Sequence, residues 1–307
     1  MSEIAQKAAI IESVIRTSTN SSFLTAVQSR CSGLESIILN MSSLVAVSTV
    51  RSSSVESRIA FATEGGGSWP AWDRFITLDG KKAYRIGNIC GTCAFFFERL
   101  GGANDKVSPP ELSQRLRTGI SELEDDLLRT VTAALPAGDY NALLLKCVPK
   151  RVLPSEPGDY FREEQVALWG VDSFYGLPHY TKTEYYRTPQ INMTNGRGLF
   201  EFIVPMFPKR WLHTDAVNSY RTALSDGAIP TSLALSILDI KQPADWEGDP
   251  TINAHWCLSH YLLDGHHKTL AASELGVPIT ILSFLAIDKG VSRREEVAEA
   301  IQALLTQ

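Results

Sequence analysis

Hydrophobic patterning predicts an α/β (α+β) fold for this chain, and three features carry the prediction. Leu233, Leu235 and Ile237 alternate with Ala234 and Ser236, the two-residue period of a strand. Val217, Tyr220 and Leu224 recur at helical spacing within TDAVNSYRTAL. The run PITILSFLAI, residues 278–287, is almost continuously apolar, as expected of a strand covered on both faces. With 307 residues, 44% hydrophobic and 21% charged, the chain can bury such a core without disulfide staples.

Taken in order, Ile4, Ala8, Ile11, Val14 and Ile15 predict a helix over 3–16, with a Ser/Thr-rich loop after it. SLVAVSTV (43–50) reads as a strand. DRFITLDGKKAYRIG (73–87) reads as a hairpin, because Asp79-Gly80 supplies the positive φ angles of a tight turn between two alternating runs. SPPELSQRLRTGISELEDDLLRTVTAAL predicts the longest helix: Ser108 as N-cap, prolines in the first turn, Glu111 closing a capping box, and an apolar stripe from Leu112 to Leu127. DYNALLLKCVP follows as a buried strand and GDYFREEQVALWG as a short amphipathic helix. The turn-rich stretch ending in Asn195-Gly196 and Gly198 predicts a domain boundary, with an N-terminal α+β region over 1–195 and a C-terminal domain over 196–307. That domain reads as strand LFEFIVPMF, helix TDAVNSYRTAL, the strand segment GAIPTSLALSILDI, strand WCLSHYLL, a turn at Asp264-Gly265, helix 266–275, strand PITILSFLAI and a closing helix with Ser292 and Glu295 as its box.

Composition narrows the function classes. A formal net charge of −5 gives no basic footprint, so a nucleic-acid partner is not favoured. Five cysteines, an odd number, fit a reducing compartment better than a disulfide framework. Glu3, Lys7 and Glu12 interrupt the first apolar positions, and no stretch reaches about 18 uninterrupted apolar residues. A cytoplasmic protein without a membrane partner is expected.

The densest chemistry lies in HYLLDGHHKTLAASELG, residues 260–276. A strand ending in Asp264-Gly265 and running at once into a helix aims free backbone N–H groups and the positive end of the helix dipole at one spot, where anions collect. Gly265 permits close approach, Lys268 adds charge, and His266 and His267 can donate hydrogen bonds or move a proton near neutral pH. Asp264 would accept from a hydroxyl or hold Mg²⁺ brought in by nucleotide phosphates. The phosphate reading requires His266 and Lys268 to face solvent. The competing reading makes Asp264 a plain N-cap and the histidines exposed turn residues, and spacing excludes neither.

This stretch, with the strand, helix and strand before it, resembles the ParB/sulfiredoxin-like superfamily over roughly residues 199–288, in which a strand runs into a D-G-H-H-R or related signature. The resemblance implies that Asp264, Gly265, His266, His267 and Lys268 bind nucleotide phosphates, in the manner of free serine kinases, sulfiredoxin, CTP-binding partition proteins or nucleases. Lys268 stands where arginine is usual, keeping the charge without the bidentate fork. The glutamate that serves the serine kinases as catalytic base has no counterpart in PMFPKRWLHTDAV, which offers His213 or Asp215 instead and Arg210 as a further phosphate contact. The implied function is a nucleotide-dependent phosphotransferase or phosphohydrolase acting on a small hydroxyl-bearing metabolite, with ATP or another nucleotide and Mg²⁺ as cofactors. A nucleotide-binding regulatory or nucleic-acid-associated module and a ParB-like nuclease are the alternatives.

Three further constellations carry weaker expectations. Cys90 and Cys93 in NICGTCAFFFERL form a C-x-x-C that suits half a zinc site or a redox pair, although buried unpaired thiols are the commoner outcome. His255, Cys257 and His260 are close in sequence, but on a strand Cys257 and His260 point to opposite faces. The aromatics of EEQVALWGVDSFYGLPHYTKTEYYR, with Lys182 and Arg187, line either a binding cleft or the core.

Overall fold

The computed structural model describes residues 42–170, 181–243 and 254–306, and the helix expected over 3–16 lies outside them. From Ser42 onward the chain forms one compact unit of mixed α/β content. Strands β1 (Ser43–Ser52), β2 (Ile59–Gly66), β3 (Trp69–Leu78), β4 (Lys81–Asn88) and β5 (Glu98–Arg99) come first, then helices α1 (Ser113–Thr118) and α2 (Asp125–Ala134). Strands β6 (Gly138–Cys147) and β7 (Lys150–Val152), helix α3 (Glu164–Trp169) and strands β8 (Tyr185–Arg187), β9 (Ile191–Asn192) and β10 (Gly198–Val204) form the middle. The last third is α4 (Thr214–Ser225), β11 (Thr231–Lys241), β12 (His255–Asp264), α5 (His266–Leu275), β13 (Ile279–Ala286) and α6 (Arg294–Leu305).

A nine-stranded mixed sheet runs β1-β6-β13-β11-β12-β10-β8-β7, with β9 pairing off β10, and a four-stranded antiparallel sheet runs β2-β3-β4-β5. Side-chain alternation sorts the large sheet's faces. Leu143, Leu145, Leu258, Leu262, Ile281 and Leu285 pack with Val217 and Leu224 of α4, Leu270 of α5 and Val297 and Leu304 of α6. Ala142, Leu144, Cys257, Tyr261, Leu282 and Phe284 on the opposite face pack with Leu116 of α1, Leu127 and Val131 of α2 and Tyr84 of β4. The result is three layers: helices, the large sheet, and the small sheet with α1 and α2. Strand β13 lies between β6 and β11 and is buried along its whole length, as its apolar run implied.

The hairpin turns at Asp79 (φ 50°) and Gly80 (φ 73°), as its sequence demanded. The long helix expected from Ser108 is broken instead. A 3₁₀ turn at Pro110–Leu112 leads into α1, and the chain leaves the helix at Gly119, where φ is 104° and a Cβ would meet the Ile229 carbonyl oxygen at 2.4 Å. That close approach lets Ile120 N–H donate to Thr231 Oγ1 at 2.8 Å, a tertiary contact that overrides the local helical pattern. Ser108 does not cap either; its hydroxyl goes to Asp264. The closing helix begins one residue later than expected, with Glu296 accepting from both the backbone N–H and the guanidinium of Arg293. The boundary expected at Asn195-Gly196 falls inside the compact unit, because β7 and β8 before it and β10 after it belong to one sheet.

Candidate functional site

The polar turn is built as the sequence implied, and its side chains are spent inside the protein. Gly265 has φ 104° and lies against Ser232, whose Oγ a Cβ would meet at 2.3 Å, so glycine is required there on both counts. It also leaves α5 without a side-chain cap. Asp264 accepts from Ser108 Oγ at 2.5 Å, and Val107 N–H donates to the Leu263 carbonyl at 3.1 Å, so the 107–108 segment roofs the helix start. His266, 4% exposed, accepts the Met206 backbone N–H on Nε2 at 3.0 Å and packs against the Phe207 ring. Its Nε2 therefore carries no proton, and burial holds the imidazole neutral by lowering its pKa to about 3, against the pull of Asp264. His267 accepts the His213 backbone N–H at 3.1 Å, and the two rings stack in parallel.

Lys268 is 3% exposed, and its ammonium donates to the carbonyls of Leu116 at 3.0 Å and Thr231 at 2.5 Å. It satisfies the C-terminal end of α1 and pins it to the start of β11, a role suited to a cation at a helix C-terminus. Burial pushes its pKa down to about 8, opposed by Asp264. The expectation that His266 and Lys268 face solvent is therefore corrected, and Asp264 is not the helix cap that the competing reading required. The turn is a clamp joining the loop after β10, the end of α1 and the edge of β11.

A second polar group, which the linear sequence does not reveal, runs across the helix-covered face of the large sheet. Glu201 of β10 accepts from Thr188 Oγ1 at 2.9 Å and from Ser42 Oγ at 3.2 Å, and lies 3.4 Å from His260 Nε2 of β12. His260 Nδ1 is 2.8 Å from Ser236 Oγ of β11 and 3.1 Å from Ser283 Oγ of β13. A carboxylate, an imidazole and a hydroxyl in series resemble a nucleophile and its base. All four side chains are at most 2% exposed, so no substrate reaches them, and the row serves to satisfy polar groups inside the sheet. As expected, Cys257 lies on the other face, where Tyr160 Oη contacts it and, at 2.8 Å, His255 Nδ1.

An open cleft of about 630 Å³ lies beside the loop that His266 supports, within the usual size range of small-molecule sites. Glu98, Arg99, Arg151, Lys182, Glu184, Lys209 and Arg210 supply its charged lining, with Pro205 and Pro208 in one wall. Among the described residues, five cations face two carboxylates. Glu184 is engaged by Arg151 and by the Lys209 backbone N–H, which ties the segment before β8 to the loop after β10. Arg99 donates to the Met206 carbonyl at 2.5 Å and lies over the Trp211 ring, so the Met206 peptide is held by His266 on one side and Arg99 on the other. Lys182 is 86% exposed and lies 3.9 Å from Glu98, and Arg210 has no ion pair among the described residues.

Of the residues singled out in the sequence, Arg210 alone lines this cleft among the phosphate candidates, and Lys182 joins it from the aromatic stretch. His213 and Asp215 are exposed at the start of α4, while Arg187 is taken by Glu164. Tyr185, with Tyr160, Phe161, Phe95, Phe97 and Phe202, forms a packed aromatic core, so that ring of the stretch is structural. Phe174 and Tyr175 lie outside the described residues. Arg99 and Arg151 were missed, since isolated arginines on different strands carry no spacing signal. Cys90 and Cys93 lie on the loop after β4, and among the described residues no group of three or more His, Cys, Asp or Glu side chains converges to hold a metal. Among the described residues neither Cys90 and Cys93 nor Asp264 belongs to such a group. Among the described residues no helix is long and apolar enough to cross a membrane. No protein-family model, curated protein or solved structure matches this chain.

Proposed function

We propose that this protein binds a phosphate-bearing small molecule, of the nucleotide class, in the cleft lined by Arg99, Arg151, Lys182, Lys209 and Arg210. The observation that carries the reading is the excess of guanidinium and ammonium groups in one open cleft, with Arg210 unpaired among the described residues and Lys182 only loosely paired. Guanidinium groups suit phosphoryl oxygens because they present paired donors in one plane. Trp211, 46% exposed beside Arg210, offers a ring on which a nucleobase can stack. In this reading the DGHHK turn supports the site from beneath, with His266 positioning the loop that carries Lys209 and Arg210. The phosphotransferase or phosphohydrolase reading rests on this binding step and assigns proton transfer to the accessible His213, His267 or Asp215, with Mg²⁺ arriving on the ligand's phosphates.

A thermal-shift panel of nucleoside mono-, di- and triphosphates, sugar phosphates and inorganic phosphate, with and without Mg²⁺, tests the proposal, because a ligand that binds only the folded state raises the melting temperature. Selective stabilisation by one phosphorylated class is expected. Arg210→Ala and Lys182→Ala should each weaken that ligand about tenfold or more, the worth of roughly 1.5–3 kcal/mol for a charge-assisted hydrogen bond. Both groups are exposed, so the melting temperature of the free protein should barely move. Equal affinity in both variants, or no stabilisation by any phosphate, removes the reading; release of phosphate in the presence of a hydroxyl acceptor or water separates an enzyme from a binding module.

A further inference from the structure

The Cys90-Gly91-Thr92-Cys93 loop is held rigidly by parts of the molecule far from it in sequence. Cys90 N–H donates to Asn88 Oδ1 at 3.1 Å, and the buried Lys241 ammonium of β11 donates to that same Oδ1 at 3.3 Å and to the Cys90 carbonyl. Gly91 O accepts from Gln242 N–H at 3.0 Å, and Thr92 O accepts from Trp169 Nε1 at 3.1 Å. Within the loop, the Cys90 sulfur accepts the Cys93 backbone N–H at 3.2 Å and lies 3.3 Å from Thr92 Oγ1. Both thiols are half-buried rather than sealed, in contrast to Cys147 and Cys257.

We propose that Cys90 and Cys93 form a redox couple that exchanges with external disulfides, with Cys90 as the attacking sulfur and Cys93 as the resolving one. In the oxidising direction the Cys90 thiolate attacks one sulfur of a disulfide R–S–S–R, forming a mixed disulfide and releasing one R–S⁻. Cys93 gives up its proton and attacks the Cys90 sulfur, which closes the Cys90–Cys93 bond and releases the second R–S⁻. The protein loses two electrons and two protons, and the external disulfide leaves as two thiols. Reduction runs the same steps backwards.

The two sulfurs differ in the way this division requires. Burial opposes ionisation of Cys90, but hydrogen bonds from the Cys93 thiol, the Thr92 hydroxyl and the backbone N–H groups of Thr92 and Cys93 outweigh it and lower its pKa. Burial and the neighbouring Cys90 push Cys93 up to about 11, against the pull of the Lys241 ammonium. A zinc site would instead need further ligands, which the described residues do not bring to the loop.

The test uses the full-length reduced protein. It is equilibrated in glutathione buffers from fully reduced to fully oxidised, quenched with acid and alkylated, and the tryptic peptide Ile86–Arg99 is weighed. Half-oxidation within the series, by loss of two hydrogens from that peptide, is expected; a peptide that stays wholly reduced or wholly oxidised throughout overturns the proposal, as does pairing of Cys90 with any other cysteine. Cys93→Ser should trap the glutathione adduct on residue 90, whereas Cys90→Ser should trap none, and the reverse pattern overturns the division of roles. Thr92→Val, a change at an exposed position that leaves the fold intact, should slow iodoacetamide modification of Cys90 several-fold, and an unaltered rate counts against the activated thiolate. Parallel incubation with glutathione disulfide and with insulin distinguishes a small-molecule from a protein disulfide as the partner, and exchange with neither overturns the proposal.

Discussion

Lys268→Ala should unfold this protein more readily than most single substitutions, lowering its stability by roughly 3–5 kcal/mol. The wild-type side chain buries its stem and donates to two carbonyls, one at the end of α1 and one at the start of β11. Alanine leaves a cavity and takes the ammonium from both oxygens, and an unsatisfied buried carbonyl costs about 1–3 kcal/mol. A fall in melting temperature on the order of 10 °C is expected for a unit of this size. Lys268→Met, which keeps the stem, should recover part of the loss, and the remainder reports the ammonium. Chemical denaturation of the three proteins measures it. A Lys268→Ala protein as stable as wild type would show that the side chain is not the clamp, and would return it to the solvent-facing phosphate role expected from its motif.

Acid should destabilise the protein before its carboxylates protonate. In the unfolded chain an imidazole takes up a proton near pH 6.5, whereas His266 resists until about 3 and His255 until about 4, in both cases mainly through burial. Between those limits the unfolded state binds more protons than the folded one, so stability falls as pH falls. The contribution is whole above about pH 6.5 and is lost progressively below it. Each histidine adds up to about 1.4 kcal/mol per pH unit to the slope. His266→Gln, which keeps an acceptor for the Met206 N–H without a titrating ring, should reduce the slope between pH 6 and 5 by about one proton. Urea denaturation at several pH values reads this directly, and an unchanged slope would show that His266 is not buried neutral. The same variant should weaken phosphate binding in the cleft, because His266 holds the loop that carries Arg210.

Much of the secondary structure was legible because the relevant forces are local. Alternation marked β11, buried apolar runs marked β6 and β13, and Asp79-Gly80 fixed a hairpin. The Asp264-Gly265 turn with α5 from His266 appeared where a strand period changes to a helical one. Local rules failed where a distant partner intervened. Ser108 left the N-cap for Asp264, and Gly119 broke a well-patterned helix so that its neighbour could bond Thr231. The boundary at Asn195-Gly196 misled because turn residues mark a change of direction, whether or not the same sheet continues beyond it.

For the candidate site the division is sharper. By itself the sequence determined that Asp264, Gly265, His266, His267 and Lys268 occupy a strand-to-helix turn, since glycine and the period change are enough to place it. Whether those side chains meet a ligand or the protein depended on what packs over them, and only the tertiary structure decided that, by laying the loop after β10 on His266 and the end of α1 on Lys268. The cationic cleft was likewise invisible along the chain, because Arg99, Arg151, Lys182 and Arg210 come from separate segments and share no spacing. A motif is local in sequence, but desolvation and charge convergence are properties of a surface, and the surface exists only once the strands have paired.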